Sequence, residues 1–344
     1  MTFAYSPMES VSNTPSNSVT DHSPKARPVI FLMGPTASGK TDLAVQLVKR
    51  LPLEIISVDS ALVYRGLDIG TGKPDQEVLA VAPHRLIDIR DPANAYSAAE
   101  FATNARQAIA EVEAKGRIPL LVGGTGLYFR ALRYGLAPLP VADPAVRHAI
   151  AEQAQQVGWA VLHERLAKVD PAAGARIHPN DPQRIQRALE IYELTGSPMT
   201  ALLSRRAEYA LERPVIGLAL EPHDRPVFRE RIASRFHGML RQGLVTEVEE
   251  LRHRGDLHQD LPSMRAVGYR QVWNYLDGRI DYPGMVETAI TATHQLAKRQ
   301  LTWLRSETGL IRFPCQEMNV LDEILRYLLR ESLLKENGVG VGVS

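Results

Sequence analysis

Gly34-Pro35-Thr36-Ala37-Ser38-Gly39-Lys40-Thr41 stands directly after the apolar run Val29 to Met33 and directly before a segment with helical periodicity. Strand, glycine-rich loop and helix in that order are the setting of a phosphate-binding P-loop. Successive backbone N–H groups encircle a diphosphate and the helix N-terminus adds its positive end. Lys40 adds a charge, and the Thr41 hydroxyl is the expected ligand of Mg2+. The motif points to a phosphorylated small molecule without saying which, because P-loops serve many chemistries.

Outward from the loop, Leu43, Leu47, Val48 and Leu51 keep helical spacing, and Leu53 to Val58 forms a second apolar run that ends at Asp59. Ser97-Ala98-Ala99-Glu100 has capping-box form. The helix it opens runs to Lys115-Gly116, and Ile118 to Val122 follows as a third buried strand. Short apolar runs alternating with helices predict an α/β fold with a P-loop NTPase-like parallel sheet. Pro214 to Leu220 supplies one more run. Residues 141–213 lack strand-like runs and contain several helical patterns, so they read as a helical insertion domain. Past residue 224 the pattern is helical again, with Phe228, Ile232, Phe236 and Leu240 on one face and Gly243 and Gly255 as stops. The expected organisation is a flexible extension over 1–27, a core over 28–140 and 214–315 with C-terminal helices, the insertion over 141–213, and a C-terminal helix with a flexible tail over 316–344.

Composition is that of an ordinary soluble chain able to bury a sizeable core: 344 residues, 44% hydrophobic, 23% charged, net charge +1. Cys315 is the single cysteine, which excludes an intramolecular disulfide and a cysteine zinc site, and the ten His show no metal-ligand spacing. No apolar stretch is long enough to span a bilayer, and residues 1–27 lack the apolar centre of a signal peptide. A cytoplasmic protein without membrane attachment is expected. Near-neutral charge argues against non-specific coating of nucleic acid but leaves room for a local basic cleft.

The stretch Asp59 to Pro74 is polar, glycine-rich and placed at the carboxyl end of the second strand, the edge at which open α/β sheets bind ligands. Asp59 is expected to face the phosphate loop, as an Mg2+ ligand or a general base, with capping of the next turn as the alternative. Asp68 and Lys73 fit a solvent-facing loop equally well. Kinases and ATPases commonly carry an acidic residue after the third strand, whereas Val122 leads here into Gly123-Gly124-Thr125. Paired glycines permit close backbone approach to a ligand, and Thr125 offers a hydroxyl.

Taken together these segments resemble the bacterial tRNA dimethylallyltransferases, also called tRNA isopentenyltransferases. The resemblance rests on Gly34 to Thr41, Asp59 to Pro74, Pro83-His84-Arg85-Leu86-Ile87-Asp88, Gly123-Gly124-Thr125, Asn180-Asp181-Pro182-Gln183-Arg184 and Arg265-Ala266-Val267-Gly268-Tyr269-Arg270, in that order. It covers about residues 28 to 313, with Arg85 where many members carry a second His. It implies transfer of the dimethylallyl group of dimethylallyl diphosphate to N6 of the adenosine 3′ of the anticodon, in tRNAs reading codons that begin with U. The products are diphosphate and N6-dimethylallyladenosine, and the implied cofactor is Mg2+. A monomer gripping one anticodon stem-loop is expected.

The chemistry agrees with the residues. Breaking the allylic carbon–oxygen bond demands charge stabilisation on the leaving diphosphate, which Gly34, Pro35, Thr36, Ala37, Ser38, Gly39, Lys40 and Thr41 are placed to give. The amine must lose a proton as it attacks, for which Asp59 is the expected base. The resemblance puts Arg235 on the diphosphate, Thr125 near the reacting amine, and Asp59, Ser60, Ala61, Leu62 and Thr125 on the tRNA. Extracting a stacked adenine costs a few kcal/mol, so aromatic and basic side chains must replace the stack. Candidates are Gln183, Arg184, Ile185, Gln186 and Arg187 behind the N-cap Asp181 and first-turn Pro182, Arg265 to Arg270, Lys298, Arg299 and Arg305, and Arg147. Taken alone, each cluster reads as a solvated helix face or a core aromatic. Trp159 and Trp273 read as packing residues. The rival functions are a P-loop small-molecule kinase, an adenylate isopentenyltransferase and an RNA-binding module with a vestigial loop.

Overall fold

A computed structural model describes residues 27–204 and 209–330; the expected extension up to residue 26 and the tail beyond 330 lie outside them. The chain runs β1 (Val29–Met33), α1 (Lys40–Val48), β2 (Leu53–Val58), α2 (Gln76–Val81), β3 (His84–Arg85), α3 (Ala98–Ala114), β4 (Ile118–Gly123) and α4 (Gly126–Tyr134). Five helices follow, α5 (Pro144–Val157), α6 (Trp159–Val169), α7 (Pro171–Arg176), α8 (Pro182–Thr195) and α9 (Met199–Leu203). The chain then returns through β5 (Val215–Glu221), α10 (Arg225–Arg241), α11 (Leu244–His253), α12 (Tyr269–Leu276), α13 (Tyr282–Ser306), β6 (Leu310–Pro314) and α14 (Val320–Arg330).

The strands form one sheet in the order β3-β2-β4-β1-β5-β6, every neighbouring pair parallel. β1, β2 and β4 are buried along their whole length, which is why they read as continuous apolar runs instead of alternating ones. Successive side chains go to opposite faces: Ile30, Leu32, Leu53 and Ile55 pack with Leu43 and Leu47 of α1, while Phe31, Ile56 and Val58 pack with Phe101, Ala105 and Ile109 of α3. Ser97 and Glu100 close the capping box that starts α3. From β1 the chain crosses to β2 on one side, and from β4 it returns to β5 on the other, so a crevice opens between the carboxyl ends of β1 and β4.

Two further cores position the rest. Val63, Tyr64 and Leu67, from the loop after β2, are buried among Phe236, Leu244, Val248, Tyr269, Val272, Trp273 and Met285 of α10 to α13. Within the insertion, Ile150, Leu162, Leu166, Ile177, Ile185 and Leu189 form a separate cluster, with Trp159 packed against it.

The sheet has two strands more than the sequence reading. Ile118 to Gly123 is the fourth strand of the chain, because the two-residue β3 precedes it at one edge. β6 interrupts the stretch past 224 that reads as helical and forms the other edge. Only Phe313 of β6 is buried, so no apolar run marks it.

Phe31 is fully buried and its ring centroid lies 5.0 Å from that of Phe129. Phe31→Ala should therefore lower stability by about 3–5 kcal/mol. Urea unfolding should show a lower midpoint at unchanged slope.

Candidate active site

The crevice between β1 and β4 deepens into a cavity of about 1300 Å³. Its floor is the phosphate loop. Gly39 adopts φ 83° as N-cap of α1, a left-handed conformation that favours glycine, and Ala37 also has positive φ, at 62°. Gly34 is required for space: a Cβ there would stand 2.9 Å from the Leu220 carbonyl oxygen and from Ser38 Oγ. Lys40 Nζ folds back on the loop, donating to the Pro35 carbonyl at 2.7 Å and to Ser38 Oγ at 3.5 Å. Burial lowers its pKa to about 8; the Arg235 charge pushes the same way and Asp59 opposes it. An anion in the loop would restore the charge.

The loops after β2 and β4 form the next wall. Asp59 Oδ1 accepts the backbone N–H of Ala61 at 2.8 Å and of Leu62 at 3.3 Å, so the carboxylate does shape its own turn. Among the described residues Oδ2 accepts no hydrogen bond, and Asp59, Ser60, Ala61 and Leu62 all line the cavity. Thr125 Oγ1 accepts the Ser60 N–H at 3.2 Å, which joins the two loops and leaves the hydroxyl proton to be donated elsewhere. Gly123 has no room for a Cβ, which would overlap the Val58 carbonyl.

The third wall comes from the C-terminal helices. Arg235 reaches in from α10 and donates through Nη2 to the Thr71 carbonyl at 3.4 Å; a Cβ on Gly72 would overlap its guanidinium. Arg265, Ala266, Val267, Gly268, Arg270 and Arg299 line the same cavity. Two residues absent from the sequence reading belong here. Arg231, one helical turn before Arg235, lies with Nη2 3.1 Å from where a Cβ on Gly39 would be. Gln300 of α13 accepts the Thr36 N–H at 2.8 Å and donates to the Gly124 carbonyl at 3.1 Å, tying two loops together. The four-residue spacing to Arg235 was a visible signal for Arg231. Gln300 had none beyond its place in the run Lys298 to Arg305.

Other expected residues fall elsewhere. Tyr269 and Ile185 correct the expected RNA surface, because both side chains are 0% exposed: Tyr269 packs among α10 to α13 and Ile185 in the insertion core. Gln183 and Arg184 are exposed at the start of α8, where Asp181 caps the helix by accepting the Arg184 N–H. Arg147 and Arg187 meet at Glu190, which is 0% exposed, at 3.0 and 2.8 Å, and Gln186 donates to the Arg147 carbonyl. None of these insertion residues lines the cavity, nor do Lys298 and Arg305, which are exposed on α13. Lys73 is a structural anchor with a 5% exposed side chain, held by Asp68, Asp88 and the Tyr64 carbonyl.

Among the described residues no three His, Cys, Asp or Glu side chains gather as a metal site. Thr41 and Asp59 nevertheless bring hard oxygen donors to one cavity. That donor set fits Mg2+, which takes one or two carboxylates and completes its shell with phosphate oxygens and water. No helix among the described residues is long and apolar enough to cross a membrane.

The family model described as IPP transferase matches residues 62–307. A curated tRNA dimethylallyltransferase of Thioalkalivibrio sulfidiphilus (strain HL-EbGR7) is 63% identical over 287 residues, 83% of this chain and 90% of the relative. The crystal structure of the full-length tRNA isopentenylpyrophosphate transferase from Bacillus halodurans aligns with a TM-score of 0.66 at 36% identity, over 90% of this chain and 98% of that one. A eukaryotic dimethylallyltransferase acting on tRNA shares the fold, with a TM-score of 0.71 at 24% identity over 90% of this chain and 80% of that one.

The lowered pKa of Lys40 sets a pH dependence. Above about 8 the free site has lost the Lys40 proton while an anion-bound site retains it, so binding takes up a proton and affinity falls as pH rises through that value. Well below it Lys40 is charged in both states and this contribution is flat. Calorimetric titration with dimethylallyl diphosphate should show the fall, and Lys40→Arg, charged throughout, should lose it.

Proposed function

The chain belongs to the IPP transferase family, and from that premise we propose that it transfers the dimethylallyl group of dimethylallyl diphosphate to N6 of an adenosine in tRNA. The observation that carries this reading is that one cavity is lined by the diphosphate cradle, by Asp59 and Thr125, and by Arg265 to Gly268. Two substrates thus meet between the sheet edge and α10 to α13. The target is the adenosine 3′ of the anticodon in tRNAs reading codons that begin with U.

The new bond forms between N6 and allylic C1 as the C1–oxygen bond breaks, and the electron pair leaves with diphosphate. Loop amides from Ala37 to Thr41, the Lys40 ammonium and the Arg235 guanidinium receive that charge, the Thr36 N–H being taken by Gln300. Asp59 takes the amine proton through the oxygen that is not engaged in its turn. Thr125, fixed by the Ser60 N–H, donates its hydroxyl toward the reacting groups. Mg2+ held by the Thr41 hydroxyl would supply further neutralisation of the diphosphate. Helices α5 to α9 form the arm that meets the anticodon stem-loop through Gln183 and Arg184, with Arg147 and Arg187 braced on Glu190. The enzyme works as a cytoplasmic monomer.

A kinase reading loses support at the end of β4, where Gly123-Gly124-Thr125 offers no carboxylate. Incubation with Mg2+, radiolabelled dimethylallyl diphosphate and either unmodified tRNA or AMP tests the substrate class. Label should enter tRNA alone; label in AMP would move the assignment to the mononucleotide enzymes. Asp59→Ala should abolish transfer while largely sparing tRNA affinity, and an active variant removes Asp59 as the base. Arg184→Ala should instead weaken tRNA binding and reduce its salt slope by about one. Unchanged affinity would return α8 to a structural role.

A further inference from the structure

A side-chain carboxylate occupies the seat that an anionic ligand takes in a backbone nest. Glu247, on α11, accepts through Oε2 from the N–H groups of Asp68 at 3.1 Å and Ile69 at 2.7 Å. Through Oε1 it accepts from the Gly70 N–H at 3.2 Å and the Tyr269 hydroxyl at 2.5 Å. Three successive amides converging on one anion form a concavity built for negative charge. The surroundings leave it no play: Tyr269 is buried, and a Cβ on Gly70 would overlap its ring. Burial, and then the adjacent Glu247 carboxylate, hold the Tyr269 phenol protonated, its pKa far above the usual range.

The next two residues of this loop touch the cleft. The Thr71 carbonyl accepts from Arg235 Nη2, and the missing Cβ of Gly72 is the space in which that guanidinium lies. On the other side Lys73 fixes the loop to Asp68 and Asp88. The segment is thus clamped before and after the point at which it meets Arg235.

We propose that Glu247 is a positioning residue for the transfer reaction: by holding amides 68 to 70 it sets the Thr71 carbonyl and, through it, the aim of Arg235 at the diphosphate. This rests on the reading of the cleft given above, in which Arg235 faces the leaving group. Glu247 itself does not line the cavity. Glutamine has nearly the same size but turns an NH2 group toward backbone donors, so Glu247→Gln breaks the clamp without opening a void.

The test compares wild type, Glu247→Gln, Arg235→Ala and the double variant, with inorganic diphosphate binding by calorimetry and dimethylallyl transfer to tRNA as readouts. Glu247→Gln should weaken diphosphate binding and lower kcat/KM for dimethylallyl diphosphate by up to about 100-fold, the effect of a displaced positioning group, at unchanged tRNA affinity. In the Arg235→Ala background the same change should cost nothing more. Losses that multiply in the double variant would make Glu247 a general stabiliser and overturn the proposal. If Glu247→Gln fails to fold, Tyr269→Phe removes one of the four donors and should give a smaller shift in the same direction, again absent without Arg235. Diphosphate binding equal to wild type in Tyr269→Phe would then overturn it. Wild-type protein that binds diphosphate but labels no tRNA sinks the transfer reading and leaves the calorimetric comparison intact.

Discussion

Met33, Gly123 and Val58 lie level in the neighbouring strands β1, β4 and β2, and the cleft starts from that alignment. Three strands ending on one line deliver three loops to one place: the phosphate loop, the turn at Gly123-Gly124-Thr125 and the stretch from Asp59. The alignment is tight enough that Gly123 has no space for a side chain against the Val58 carbonyl. A slip by one residue would turn every buried side chain of a strand to the opposite face of the sheet, exchanging the α1 side for the α3 side. Register is therefore set by two cores at once, and the loops inherit its precision.

The loops alone do not make a site, since polar, glycine-rich chain at a sheet edge has little burial to hold it. Val63, Tyr64 and Leu67 solve this by entering the core of α10 to α13, so that the loop after β2 is packed as part of the C-terminal helices. Gln300 extends the same device to the other two loops. The C-terminal helices thus both cover the crevice and determine its shape. Their cations sit where the sheet edge supplies amides, and burial lowers the pKa of Lys40 and of Arg235, helped by a neighbouring guanidinium in each case, Arg235 beside Lys40 and Arg231 beside Arg235.

Local signals carried the parts of the fold that are contained in one element and its flanking turns. The phosphate loop, the capping box at Ser97 and Glu100, the Asp181 cap and the buried strands β1, β2 and β4 are all of this kind. Edge strands β3 and β6 escaped because a short or half-buried strand has no apolar run to show. Gln300 escaped because its partner Thr36 is 264 residues away, and nothing in an isolated glutamine announces two backbone partners. Tyr269 and Ile185 depart from the expected surface for a related reason: each stands beside arginines in the sequence, while helical geometry turns Arg270 and Arg184 outward and these two inward.

The insertion keeps its core to itself. Its buried cluster runs from Ile150 to Leu189 and shares no member with the clusters of the sheet. None of its members lines the cavity at β1 and β4. A change on the outer surface of α8 therefore need not repack the sheet edge at which the loops converge.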